Sequence, residues 1–203
     1  MSGEASLPLM RLATAEDAPG ILEIYRPVVE QTSISFETLC PTAEEMARRI
    51  AEVRRSFPWL VLEHGGAILG YAYASRHKDR AAYRWSADVA VYVREDERRK
   101  GIAGALYEAL LPSLRMMGIH NAVAVIALPN PASVSLHESL GFSLVGVYPK
   151  IGFKLGEWHD VGHWLLRLRE AEAAPADPVR PEQLERSGEW KAALSAALAG
   201  LRL

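Results

Sequence analysis

WSADVAVYVREDERRKGIAG, Trp85 to Gly104, reads as a strand, a charged turn and the glycine-bearing start of a helix. Over Trp85 to Val93 the residues alternate. Trp85, Ala87, Val89, Val91 and Val93 fall on one face, and Ser86, Asp88, Ala90 and Tyr92 on the other. The first face is apolar enough to be core. The second carries a carboxylate and a phenol with the small Ala90 between them, which leaves room for a small molecule. Arg98, Arg99, Lys100, Gly101, Ile102, Ala103 and Gly104 then lead into the apolar run Ala105 to Leu111. Small residues at a helix start let a ligand approach the free N–H groups of the first turn. The helix dipole favours an anion there, and three cations sit beside it. This turn is a candidate pyrophosphate cradle. A Walker loop is excluded because no Gly-Lys-Ser/Thr follows, and G-x-G-x-x-G because Gly101 and Gly104 have the wrong spacing. An ordinary helix start with a basic face fits the same residues.

Composition bounds the rest. At 203 residues the chain is long enough for one well-buried core. Its 49% apolar and 24% charged residues are those of a globular protein, and the net charge of -2 gives no footprint for nucleic acid or an anionic membrane. The one cysteine, Cys40, excludes a disulfide framework; flanked by Leu39 and Pro41, it has no activating neighbour and reads as an inert thiol. Met1 to Leu9 shows no secretory leader and no apolar run approaches a membrane span, so a cytoplasmic protein is expected.

Leu9 to Ala13 is a strand candidate. Thr14 to Asp17 opens a first helix through Val28, and Thr42-Ala43-Glu44-Glu45 is a capping box opening a second. Gln31 to Leu39 reads as a loop that covers a pocket or merely buries Phe36. Trp59 to Glu63 and Ala67 to Ser75 are strands joined by Gly65-Gly66, and Tyr83 to Val93 follows as the third strand of an antiparallel meander. Pro112 predicts a bend or early end in the central helix, and Gly118 a stop. Ala122 to Leu128 is a fully buried strand, parallel to the one before it because a helix intervenes. Asn130-Pro131 starts a further helix that Gly141 ends. Phe142 to Val147 and Trp158 to Leu168 are closing strands joined by a loop over Pro149 to Gly156. Residues 170–203 form a linker and a last helix that packs on the domain or on a partner.

This order of elements, with Arg98-x-x-Gly101-x-Ala103, resembles the GNAT N-acetyltransferase superfamily and its acetyl-CoA signature. Asn130-x-x-Ser133-x-x-x-His137-x-x-x-Gly141-Phe142 is similar to a second helix motif of the same superfamily, in which many members place a tyrosine where His137 stands. Within it, TSISF at Thr32, YAYAS at Tyr71, AYRWS at Ala82, AVIALPN at Ala124, GFK at Gly152 and WHDVG at Trp158 resemble the phosphinothricin acetyltransferase family. The resemblance covers residues 7–169 and implies an α/β fold, a mixed central sheet flanked by helices.

The activity it implies is direct transfer of acetyl from acetyl-CoA to the primary amine of phosphinothricin, methionine sulfone or methionine sulfoximine. Asp88 is then the base, one methylene shorter than the family's usual glutamate, so either burial raises its pKa or, the favoured alternative, a water relays the proton. His137 becomes the second proton-transfer group. The cofactor is expected along Val91, Tyr92 and Val93, its pyrophosphate on Arg99, Lys100, Gly101, Ile102, Ala103 and Gly104, with Asn130 at its arm. Family analogy brings Phe36, Lys78, Arg80, Tyr83 and Tyr92 to the acceptor. A homodimer is implied, with residues near Lys154 reaching the neighbour's site. No metal is expected: alternation puts Asp160 on the face opposite His159 and His163.

Overall fold

The computed structural model describes residues 7–203. Its strands are β1 (Leu9–Leu12), β2 (Trp59–His64), β3 (Ala67–Arg76), β4 (Ser86–Val93), β5 (Asn121–Leu128), β6 (Ser143–Lys154) and β7 (Glu157–Arg167). The helices are α1 (Ala18–Gln31), α2 (Ala43–Arg54), α3 (Ile102–Met116), α4 (Pro131–Ser139), α5 (Pro181–Leu184) and α6 (Gly188–Leu198). All strands join one sheet in the order β1-β2-β3-β4-β5-β7-β6. Residues 1–6, on which most of the leader reading rests, lie outside the described residues.

Each face of the sheet carries its own core. On one, α1 and α2 bury Ile21, Leu22, Tyr25, Val28 and Ile50 against Trp59, Val61 and Tyr71. On the other, α3 buries Leu106, Tyr107, Leu110 and Leu114 against Leu60, Leu62, Ala72, Ala87 and Val89. Alternation along β4 thus sorts as expected: Ala87 and Val89 enter the α3 core, leaving Asp88, Ala90 and Tyr92 on the α1–α2 side, half-buried.

Local signals account for most of the element ends. Gly65 and Gly66 have φ of 61° and 79°, as a two-residue hairpin turn requires. Thr42 Oγ1 accepts from Glu45 N at 3.2 Å. The return half of that capping box is absent, because the Glu45 carboxylate turns to Arg48 and Arg49, each at 2.9 Å. Asn130 Oδ1 accepts from Ser133 N at 3.2 Å, with Pro131 at the first helical position.

The fold differs from the sequence reading at two strands and one helix. β4 begins at Ser86, since Ala81–Tyr83 winds into a 3-10 turn. The predicted loop over Pro149 to Gly156 is mostly strand. β6 runs on to Lys154 and turns at Leu155 and Gly156, whose φ of 52° and 85° make a tight hairpin; Pro149 is absorbed where the register shifts between Tyr148 and Gly152. Pro112 does not stop α3, which continues to Met116. Buried Leu110, Leu111 and Leu114 hold that turn against the sheet.

One feature of the topology makes a site. β4 and β5 run parallel but pair only at Ser86↔Asn121, Ala87↔Ala122 and Asp88↔Val123. Beyond Asp88 each strand continues without the other, so the sheet opens into a wedge with Asp88 at its apex.

The C-terminal segment is knitted into the same body. Leu184, Trp190, Leu194 and Ala197 join the α3 core, and Trp190 Nε1 donates to Ser113 Oγ at 2.8 Å. Side chains of that size stabilise by roughly 1.5–3 kcal/mol each when buried, enough to order a short helix. Trp85 Nε1 donates to Ala176 O at 2.8 Å, and Arg202 N donates to Lys100 O at 3.3 Å.

Candidate active site

Val89, Ala90, Val91 and Tyr92 form one wall of the wedge and Ala124, Val125, Ile126 and Ala127 the other, with Tyr107, Asn130, Ser133 and His137 around it. Strand backbone left unpaired on both walls can bond an extended amide-bearing chain as a missing strand would. At the open end of β4 lies the first turn of α3. Gly101 caps it with φ of 88°, a conformation that favours glycine, and Arg99 is also left-handed at 66°. A Cβ on Gly104 would meet nothing within 4 Å, so a ligand has room beside that turn, while one on Gly101 would lie 3.6 Å from Gly200 O of the C-terminal segment. Ile102 is buried and offers only its backbone. Lys100 Nζ pairs with Glu97 at 2.7 Å. These residues fit an anionic cofactor with an extended arm.

Proton-handling groups reach the wedge from both faces of the sheet. On the α1–α2 face, Asp88 Oδ1 lies 2.6 Å from His77 Nδ1. Burial pushes the Asp88 carboxyl up from its ordinary range; the His77 bond and the charges of Lys78 and His163 offset this only in part. On the α3 face, His137 is buried and bonded at both nitrogens. Nδ1 lies 2.7 Å from Ser133 O, which can only accept, so that nitrogen carries the proton. Nε2 therefore accepts from the Tyr107 hydroxyl at 2.9 Å. Burial holds His137 below its ordinary pKa, and raises that of Tyr107 well above it. The pair at neutral pH is a neutral imidazole and a protonated phenol.

The acceptor residues are divided. Tyr92 lines the wedge, packed between Tyr25 and Tyr71 with ring centroids 5.3 and 5.2 Å away. Phe36 lies over Gly152, where any Cβ would overlap its ring, and 6.0 Å from the His159 ring. Its loop is pinned by buried Lys154, whose Nζ donates to Val29 O and Ser35 O at 2.6 Å each. Tyr83 sits edge-on to His77 at 6.0 Å. Lys78 and Arg80 line a different cavity of about 520 Å³, shared with Arg55, Arg76, Arg84 and Arg180. Among the described residues no cluster of His, Cys, Asp and Glu could hold a metal ion, and no helix is long and apolar enough to cross a membrane.

Two members of the site escape sequence reasoning. His77 directly follows β3, two residues beyond Ser75, the cross-strand partner of Asp88, and sequence reasoning places it in a basic connection rather than on that face. Tyr107 reads as one more member of an apolar helix face, and its ring is indeed core. Only the hydroxyl contact with His137 marks it out.

A wedge between parallel strands with a helix start at its mouth suits an extended, anionic ligand, and the chain belongs to the GNAT family: the acetyltransferase (GNAT) domain matches residues 10–163. It is an acetyltransferase of that family. The chain is 40% identical over 182 residues to phosphinothricin N-acetyltransferase of Streptomyces viridochromogenes, covering 89% of this chain and 98% of the relative. It is 38% identical over 168 residues to the L-methionine sulfoximine/L-methionine sulfone acetyltransferase of Pseudomonas paraeruginosa, covering 82% and 98%. Among solved structures, phosphinothricin acetyltransferase of Sinorhizobium meliloti in complex with acetyl-CoA superposes with a TM-score of 0.80 at 36% identity, covering 89% of this chain and 99% of that one.

Proposed function

We propose that this chain transfers acetyl from acetyl-CoA to the primary amine of an amino-acid-like acceptor of the phosphinothricin, methionine sulfone or methionine sulfoximine type. The observation that carries the reading is the position of Asp88, at the apex of the wedge and on the face opposite Tyr107 and His137. An acetyl thioester lying in the wedge has a carboxylate on one side and a hydroxyl donor on the other.

Val91, Tyr92 and Val93 hold the pantetheine arm, and the amides from Arg99 to Gly104 hold the pyrophosphate. Asn130 both caps α4 and faces the arm. The acceptor enters from the α1–α2 side as an ammonium ion, with pKa on the order of 10 as for lysine, and must lose a proton before it attacks. The Asp88 side of the wedge takes that proton. As the carbon–sulfur bond breaks, the Tyr107 hydroxyl swings its one proton from His137 Nε2 to the departing thiolate. Tyr107→Phe should lower turnover about 10²-fold at unchanged acetyl-CoA affinity, measured by steady-state kinetics and titration calorimetry.

The acceptor class is tested by mass spectrometry of products formed from phosphinothricin, methionine sulfone, methionine sulfoximine, common amino acids and a polyamine. N-acetylation of the first three above the rest is expected. A polyamine preference would contradict the reading, since the positive charge of Lys78 is felt at Asp88 and disfavours a second ammonium on the acceptor.

The active form is a homodimer through β6. That edge strand exposes Val145, Val147, Tyr148, Ile151 and Phe153, an apolar row too long to leave in water. Replacing Val145 and Ile151 by lysine should shift the sedimenting species from twice the chain mass to 22.4 kDa.

A further inference from the structure

We propose that His77 is the group that takes the proton from the acceptor ammonium, with Asp88 fixing the orientation and tautomer of its ring. This assignment rests on the acetyl-transfer reading above and deepens it.

The geometry comes first. Asp88 ends a short arm. Its Oδ1 is engaged by His77 Nδ1 at 2.6 Å, a short charge-assisted contact. A carboxylate only accepts, so Nδ1 carries the proton and Nε2 presents a lone pair. Among the described residues Nε2 has no protein partner, and the His77 side chain is 20% exposed. The imidazole thus extends the reach of the carboxylate by the width of a ring. A carboxylate that orients a histidine and stabilises its cation is the division of labour found in hydrolase triads.

Tyr83 meets the ring edge-on and restricts its rotation. The charged and titratable groups around the pair are Lys78 and Tyr83 from the same connection, Tyr73 from β3, Asp88 from β4 and His163 from β7. Asp88 is the one carboxylate among them, so an imidazolium at His77 has a single counter-ion, already in contact.

The protons balance as follows. His77 Nε2 takes one proton from the ammonium, and the freed amine forms the new C–N bond at the acetyl carbon. That proton passes to water from the exposed edge of the ring. The second N–H proton leaves by the same route once the ring has shed the first, the CoA sulfur takes one from the Tyr107 hydroxyl as the C–S bond breaks, and Tyr107 regains its proton from water. Products are the amide, the free thiol and one proton released to solvent.

The test compares His77→Ala, Asp88→Glu and the double variant in steady-state acetyl transfer to methionine sulfone, with and without added imidazole. His77→Ala should lose about 10²-fold in kcat with acetyl-CoA affinity unchanged. Added imidazole should restore part of the loss. The double variant should exceed His77→Ala by at least about tenfold, because the longer carboxylate reaches the amine unaided.

Turnover of His77→Ala within about threefold of wild type would overturn the assignment. So would a loss that neither imidazole nor Asp88→Glu repairs, which marks His77 as structural only. A wild-type protein that acetylates no amine, though it binds acetyl-CoA, overturns the underlying reading and this assignment with it.

Discussion

Asp88→Asn should lower kcat by about 10²–10⁴-fold, the range that a positioned proton acceptor supplies. The substitution is nearly isosteric, and the backbone of Asp88 stays paired with both β3 and β5, so the sheet has no reason to change. Its charge is what goes. An amide can present either a donor or an acceptor to His77 Nδ1, so the ring is no longer held in one tautomer. The counter-ion for an imidazolium also disappears. Neither change touches the strand backbone beyond Ala90 or the α3 turn, so acetyl-CoA should bind with wild-type affinity. Calorimetry and initial rates on the same preparation separate the two effects. A variant that keeps wild-type turnover would remove this side of the wedge from the chemistry.

Gly104→Glu should do the reverse, weakening acetyl-CoA roughly 10²–10³-fold while sparing the fold. A side chain there enters open space, and replacing a helical glycine favours the helix by roughly 0.5 kcal/mol or more. An acidic residue in a first turn also suits the helix dipole. Melting temperature should therefore hold or rise. Against a phosphate about 4 Å away, a carboxylate costs on the order of 4 kcal/mol at an effective dielectric near 20, less what salt screens. Gly104→Gln is the control of equal size without charge, and should lose much less. Unchanged affinity in Gly104→Glu would mean that the cofactor's phosphates lie elsewhere.

Much of this site is legible in the sequence because physical periodicity carries it. β4 alternates strictly, since one face must fill the α3 core, and that alternation alone puts Asp88, Ala90 and Tyr92 on the other face. The α3 start is legible because an exposed first turn with Gly101 and Gly104 has no packing reason to be bare. His77 is different. Its contact with Asp88 depends on the β3–β4 register, Ser75 opposite Asp88, and nothing in the basic stretch after β3 sets that register. Tyr107 shares a side chain between two tasks, ring to the core and hydroxyl to His137, and the first hides the second. The β6–β7 hairpin misleads in the other direction. Pro149, Gly152 and Gly156 together resemble a loop, yet an edge strand tolerates a proline and a register shift that a central strand would not. Lys78 and Arg80 lie in a connection with no periodicity, and the structure places them with Arg180 of the C-terminal segment rather than in the wedge.

Thiol release from acetyl-CoA, followed with and without methionine sulfone, tests the central claim most directly. The account predicts release that depends on the amine, saturates in it, and is matched mole for mole by N-acetylated product. Tight acetyl-CoA binding with no release under any amine of the panel would contradict it, leaving a wedge that holds the cofactor without performing the transfer.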